Sequence, residues 1–150
     1  MSLLSYSLLL VLGVMFQVKA GGGIEFTLIV LLLALAFFSL TEVIFLYILA
    51  GELLYLIDAS FWGVEFFSYT IAVVVAERIQ AFLDFSQKIL IAAPLGIGAY
   101  YLSSAFYYHF FSLGDFAGFL VKNTIVFLGM FYLFSFSFKK DNLRHQINWV

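Results

Sequence analysis

FTLIVLLLALAFFSLTEVIFLYILAGELLYLI, residues 26–57, carries only two charges, Glu42 and Glu52, over 32 positions. As one helix rising 1.5 Å per residue it would be about 48 Å long, against a hydrocarbon core of about 30 Å, so one span cannot hold it. Ser39-Leu40-Thr41-Glu42 matches a capping box, in which a hydroxyl and a carboxylate three residues later satisfy free amides at a helix start. The turn therefore falls near Ser39, giving helices over residues 24–38 and Leu40–Ile57.

The same apolar character extends outward from this stretch. Hydrophobic residues make up 65% of the 150 residues and charged residues 11%, too little polar surface for a water-facing globule, so lipid is the expected solvent. In hydrocarbon the backbone must satisfy its own hydrogen bonds, as helices or as a closed barrel. The apolar runs are continuous, without the alternation a barrel needs, and this predicts an all-α polytopic membrane bundle.

Residues 3–18 read as a first span. Val18-Lys19-Ala20 before Gly21-Gly22-Gly23 faintly resembles a signal-peptide cleavage site, but no Lys or Arg precedes the apolar run. After the two helices above, residues 59–63 form an interfacial turn with Trp62 at the depth indole rings prefer. Val64–Phe82 is a fourth helix with Glu77 and Arg78 at its lower end. Asp84-Phe85-Ser86-Gln87 is a start signal for a fifth over residues 85–106, in which Pro94, followed by Gly96 and Gly98, predicts a kink or a break. Ser112-Leu113-Gly114-Asp115 precedes a sixth, residues 116–138, so six short spans are expected.

Six spans put both termini on one side. That side receives Arg78, Lys88, Lys139, Lys140 and Arg144 and the other only Lys19 and Lys122, so the cation bias places the termini in the cytoplasm of a cell inner membrane. Residues 1–138 form one bundle and residues 139–150 a basic cytoplasmic tail, whose cations are drawn to anionic headgroups.

The chain lacks the parts of an enzyme. No cysteine is present, and His109 and His145 are too few and too far apart to hold a metal or haem, so no cofactor is expected. No nucleophile motif or phosphate loop appears. Seven Lys and Arg at a net charge of −2 form no stripe for a nucleic-acid backbone.

The candidate functional residues are the polar ones at bilayer depth. An Asp there costs about 2.5–3.5 kcal/mol on the insertion scale, and such acids face a bundle interior, a water cavity or a partner. Glu52 fits this situation best, beside Gly51, where another backbone could approach. It is expected to coordinate an ion or solute, to bond a partner helix, or to bond a Tyr, Ser or Lys inside the bundle. Asp58 and Glu65 bracket the Trp62 turn and read as hydrated. Lys122 snorkels outward or pairs with Asp115 or Glu52. The aromatics Tyr100, Tyr101, Phe106, Tyr107, Tyr108, Phe110 and Phe111 read as an interfacial belt, a patch receiving another protein's helix, or both. Gly114 and Gly118 spell a G-x-x-x-G, which a helix start explains better than dimerisation does.

From Gly51-Glu52-Leu53-Leu54-Tyr55-Leu56-Ile57-Asp58 to Gly63 the chain resembles the rod-shape-determining protein MreD family, with Gly51 and Gly63 matching. Tyr55 stands where that family usually has Asp, and an acid follows one turn later at Asp58. The Ile24-Glu25-Phe26-Thr27-Leu28-Ile29-Val30 run, the tight turn after it, the length and the basic end also look like MreD. The resemblance implies a non-catalytic subunit of the cell-elongation machinery, similar in fold to the solute-binding subunits of energy-coupling-factor transporters. It also implies membrane lipid, a bitopic partner resembling MreC and peptidoglycan synthase subunits as companions. The rival expectations are a solute-binding transporter subunit, with Glu52, Tyr55 and Lys122 lining a midplane pocket, and an accessory subunit of another large membrane complex.

Overall fold

A computed structural model describes residues 3–20, 23–57, 64–83 and 88–138. The described residues form six helices, α1 (Leu3–Ala20), α2 (Phe26–Phe37), α3 (Leu40–Ile57), α4 (Val64–Phe82), α5 (Ile89–Tyr107) and α6 (Leu113–Phe138), and contain no strand. The capping signals act as read. Ser39 N–H and Oγ both donate to Glu42 Oε2, at 2.9 and 2.8 Å, and Asp115 N–H donates to Ser112 Oγ at 3.3 Å. The latter starts α6 three residues before the expected position, because Ser112 is the cap and the helix begins immediately after it.

α2 organises the rest. Its sequence is apolar on every face, which commits a helix to burial on all sides, and the eight consecutive residues from Thr27 to Ala34 are buried. The other five helices surround it. α1 and α3 pack on one side of α2 and α4, α5 and α6 on the other, with α4 and α5 the most extensively paired. The ring is closed by Tyr6 of α1 against Phe134 of α6, ring centroids 6.3 Å apart, and by the hydroxyls of Tyr47 of α3 and Thr70 of α4, which hydrogen-bond.

α1 is an integral part of this core. Tyr6, Leu10 and Val14 lie one turn apart on its buried face, and the Tyr6 hydroxyl donates to the Val30 carbonyl of α2 at 2.8 Å. α5 runs without a break through Pro94, so the proline does not end the helix as expected of a break. Gly96, two residues later, sits so close to α4 that a Cβ there would lie 2.9 Å from the Ala72 carbonyl oxygen. Ala72 and Ala76 of α4 and Ala92 and Ala93 of α5 complete a seam of small buried residues, the kind that lets helix backbones meet. α5 ends with His109 at φ 54°, and Phe110 N–H donates to the Ala105 carbonyl at 3.1 Å, a Schellman closure made without glycine.

Two of the helices, α5 and α6 over Leu113–Phe136, are long and apolar enough to cross a membrane. Half of the α5 window is buried but only 11% of the α6 window, so α6 is left largely uncovered by the other described helices. Exposed apolar side chains also occur elsewhere, with Leu4, Leu56, Phe82 and Phe136 each at least 79% exposed. The Trp62 turn, the Asp84–Gln87 start signal and the tail from Lys139 onward lie outside the described residues.

Gly96→Ala is expected to destabilise the bundle by about 1–3 kcal/mol, because the new methyl meets backbone that cannot yield without moving α4. Gly118→Ala, where no atom lies within 4 Å, is expected to cause no loss. Unfolding midpoints of the two purified variants in mixed detergent micelles measure the difference.

Candidate functional site

Of the polar residues that the fold brings together, only Tyr100 and Glu65 were among those the sequence singled out, and in other roles. Glu25 precedes α2 in the connection from α1 and is half-buried as a residue, with its carboxylate turned inward. The Tyr69 hydroxyl of α4 donates to Glu25 Oε2 at 2.8 Å, and the Tyr100 hydroxyl of α5 is also hydrogen-bonded to this carboxylate. The two phenol rings meet edge to face, 5.0 Å between centroids. The network continues through Ser104, hydrogen-bonded to Tyr100, and from Ser104 Oγ to Ser68 Oγ at 3.0 Å. Glu65, half-buried one turn before Tyr69, lies near enough for its carboxylate to repel that of Glu25. It is therefore part of this cluster, and not simply a hydrated turn residue.

Asn123 of α6 fixes the backbone on the other side of Glu25. Its side chain is fully buried, Oδ1 accepts from Glu25 N–H at 2.8 Å, and Nδ2 donates to the carbonyls of Gly23 and Phe119 at 3.0 and 2.9 Å. One amide thereby bonds three backbone groups, two of them in the α1–α2 connection, and ties that connection to α6. The arrangement is an internal clamp that joins α2 to α4, α5 and α6 at one end of the bundle.

The expected site residues are spread apart. Gly51 is buried and lines a shallow apolar depression, too small to admit a water molecule, with Thr27, Leu31, Tyr47, Leu54 and Phe66. Glu52 is exposed on the outer face of α3, which rules out its expected bond inside the bundle and leaves the bond to a partner helix open. The reason is helical phase, since the next residue after an inward Gly51 lies about 100° round the helix. Tyr55 is 43% exposed on the same outer side. Lys122 is exposed on α6, and among the described residues it forms no ion pair with Asp115 or Glu52. Glu52, Tyr55 and Lys122 therefore do not converge on a pocket. Asp58, Trp62, Gly63, Lys139, Lys140 and Arg144 lie outside the described residues.

The aromatic cluster divides in two. Tyr100 and Tyr101 are each 7% exposed and pack on Phe119, so they are interior residues and not interfacial anchors. Phe106, Tyr107, Tyr108, Phe110 and Phe111, beyond them, are all at least half exposed. Among the described residues no group of three or more His, Asp or Glu is placed to hold a metal ion. Compared with protein-family models, curated proteins and solved structures, the chain matches none.

Asn123→Ala is expected to lower stability, with each backbone group left unpaired contributing about 1–3 kcal/mol. Glu52→Gln, on an exposed position, is expected to leave the monomer's thermal unfolding in detergent within about 0.5 kcal/mol of the parent.

Proposed function

We propose that this chain is a non-catalytic, multi-pass scaffold of the inner membrane, with both termini in the cytoplasm, that holds the transmembrane helix of a bitopic partner. On the resemblance to MreD, the partner is of the MreC kind and the setting is the machinery that regulates peptidoglycan synthesis during elongation. The observation that carries the reading is α6, apolar along its length yet hardly covered by its own bundle. Such a surface is compatible with lipid or with another helix.

The end of the bundle at the α5–α6 connection offers the best-defined contact. Phe106, Tyr107 and Phe111 stand 84%, 61% and 60% exposed on a segment held by the His109 closure, and rigid aromatics are the side chains most often dominant in association. The apolar depression beside Gly51 has no room for even a water-sized molecule, far short of a small-molecule site. This weighs against the solute-binding reading.

The test is affinity recovery of the tagged chain, expressed at its native level, followed by mass spectrometry. A single-span membrane protein is expected among the retained proteins, and Phe106→Ala is expected to reduce its recovery by about tenfold. Rounded cells after depletion would place the pair in shape control. Recovery of no membrane partner, or rod shape kept after depletion, would overturn the proposal, while reporter fusions at each terminus check the orientation.

A further inference from the structure

Two opposite charges, Glu52 and Lys122, occupy the outer faces of helices that the bundle holds apart. Glu52 is surrounded by exposed Phe45, Ile48 and Leu56 on α3, which packs on α1 and α2. Lys122 is flanked on α6, which packs on α5 and α2, by exposed Ile125 and by Gly118 and Gly129, neither of which has an atom within 4 Å of where a Cβ would stand. Among the described residues neither charge makes an ion pair. An ionised group facing acyl chains is strongly disfavoured, so each face is incomplete in a bilayer.

The two charges match in height as well as in sign. α3 and α6 run in opposite directions in a six-span bundle, so the last turn of α3 and the first turn of α6 lie on the same membrane side. Glu52 is five residues from the end of α3 and Lys122 nine from the start of α6, about 7.5 and 13.5 Å along the helix axes from those ends. The difference is within reach of a lysine side chain. The open glycines on either side of Lys122 let a facing helix approach closely enough for the ammonium to meet a carboxylate.

We propose that the occupant of these faces is a second copy of this chain, with Glu52 on α3 of one copy paired to Lys122 on α6 of the next. The inference rests on the membrane-embedded reading of the bundle and not on any role in cell shape. The two copies share one orientation in the membrane. Because the paired faces differ, the contact is heterologous, and the copies close into a ring or extend as a row.

Charge exchange tests this directly. The full chain is made with two different tags in one membrane, and co-recovery is measured from lipid nanodiscs. The parent is expected to co-recover. E52K alone and K122E alone are each expected to lose at least about tenfold of that association, since each then sets like charges together. An equimolar mixture of the E52K and K122E chains is expected to regain it, because every junction again joins a carboxylate to an ammonium. Co-recovery of either variant alone at the parent's level, failure of the mixture to regain association, or a monomeric parent would each overturn the proposal. Unchanged thermal unfolding of both variants as monomers excludes misfolding as the cause. Extraction by alkaline carbonate without detergent reports separately on the membrane reading.

Discussion

The bundle depends on enclosing α2. A helix of 12 residues with apolar side chains on every face has no side to turn toward water, and at about 18 Å it is shorter than a bilayer core is thick. Its free end groups must therefore be met by protein. At one end Asn123, Tyr69 and Tyr100 converge on Glu25; at the other, Phe38 N–H donates to the Ala34 carbonyl and the Ser39–Glu42 box turns the chain immediately into α3. The ring of five helices follows from this requirement, and so does the small-residue seam that lets α4 and α5 share one side of it.

What holds the ring closed is chiefly specific contact. In the proposed lipid setting apolar surface alone would give no preference for a neighbouring helix over an acyl chain, so close packing and interhelical hydrogen bonds would carry the association. The contacts occur where that argument places them. Tyr6 bonds the Val30 carbonyl, Tyr47 bonds the Phe66 carbonyl, Ser104 bonds Ser68, and Gly96 brings α5 onto the Ala72 carbonyl.

Features written over a few adjacent residues were legible in the sequence. The continuous apolar runs gave six helices, and the Ser39–Glu42 and Ser112–Asp115 spacings marked two helix starts, because a cap is a local interaction. Glu25 and Asn123 were passed over because they stand 98 residues apart and become partners only when α6 reaches the α1–α2 connection. The side of α3 on which Glu52 lies is not legible for a different reason. α3 is apolar nearly all round, so its sequence does not state which side faces α2, and Gly51 and Glu52 fall on opposite sides of that division. Tyr100 and Tyr101 looked like Tyr107 and Tyr108 in composition, yet the last turn of α5 separates interior from surface.

α6 has a consequence for the lipid itself. With 26 residues it is about 39 Å long, roughly twice α2 and longer than a typical hydrocarbon core. In a bilayer such a rod must lean, or the lipid along that flank must stretch to meet it, and either response is a small but directional strain. Embedded as proposed, the bundle would favour a thicker membrane along that flank than along the others.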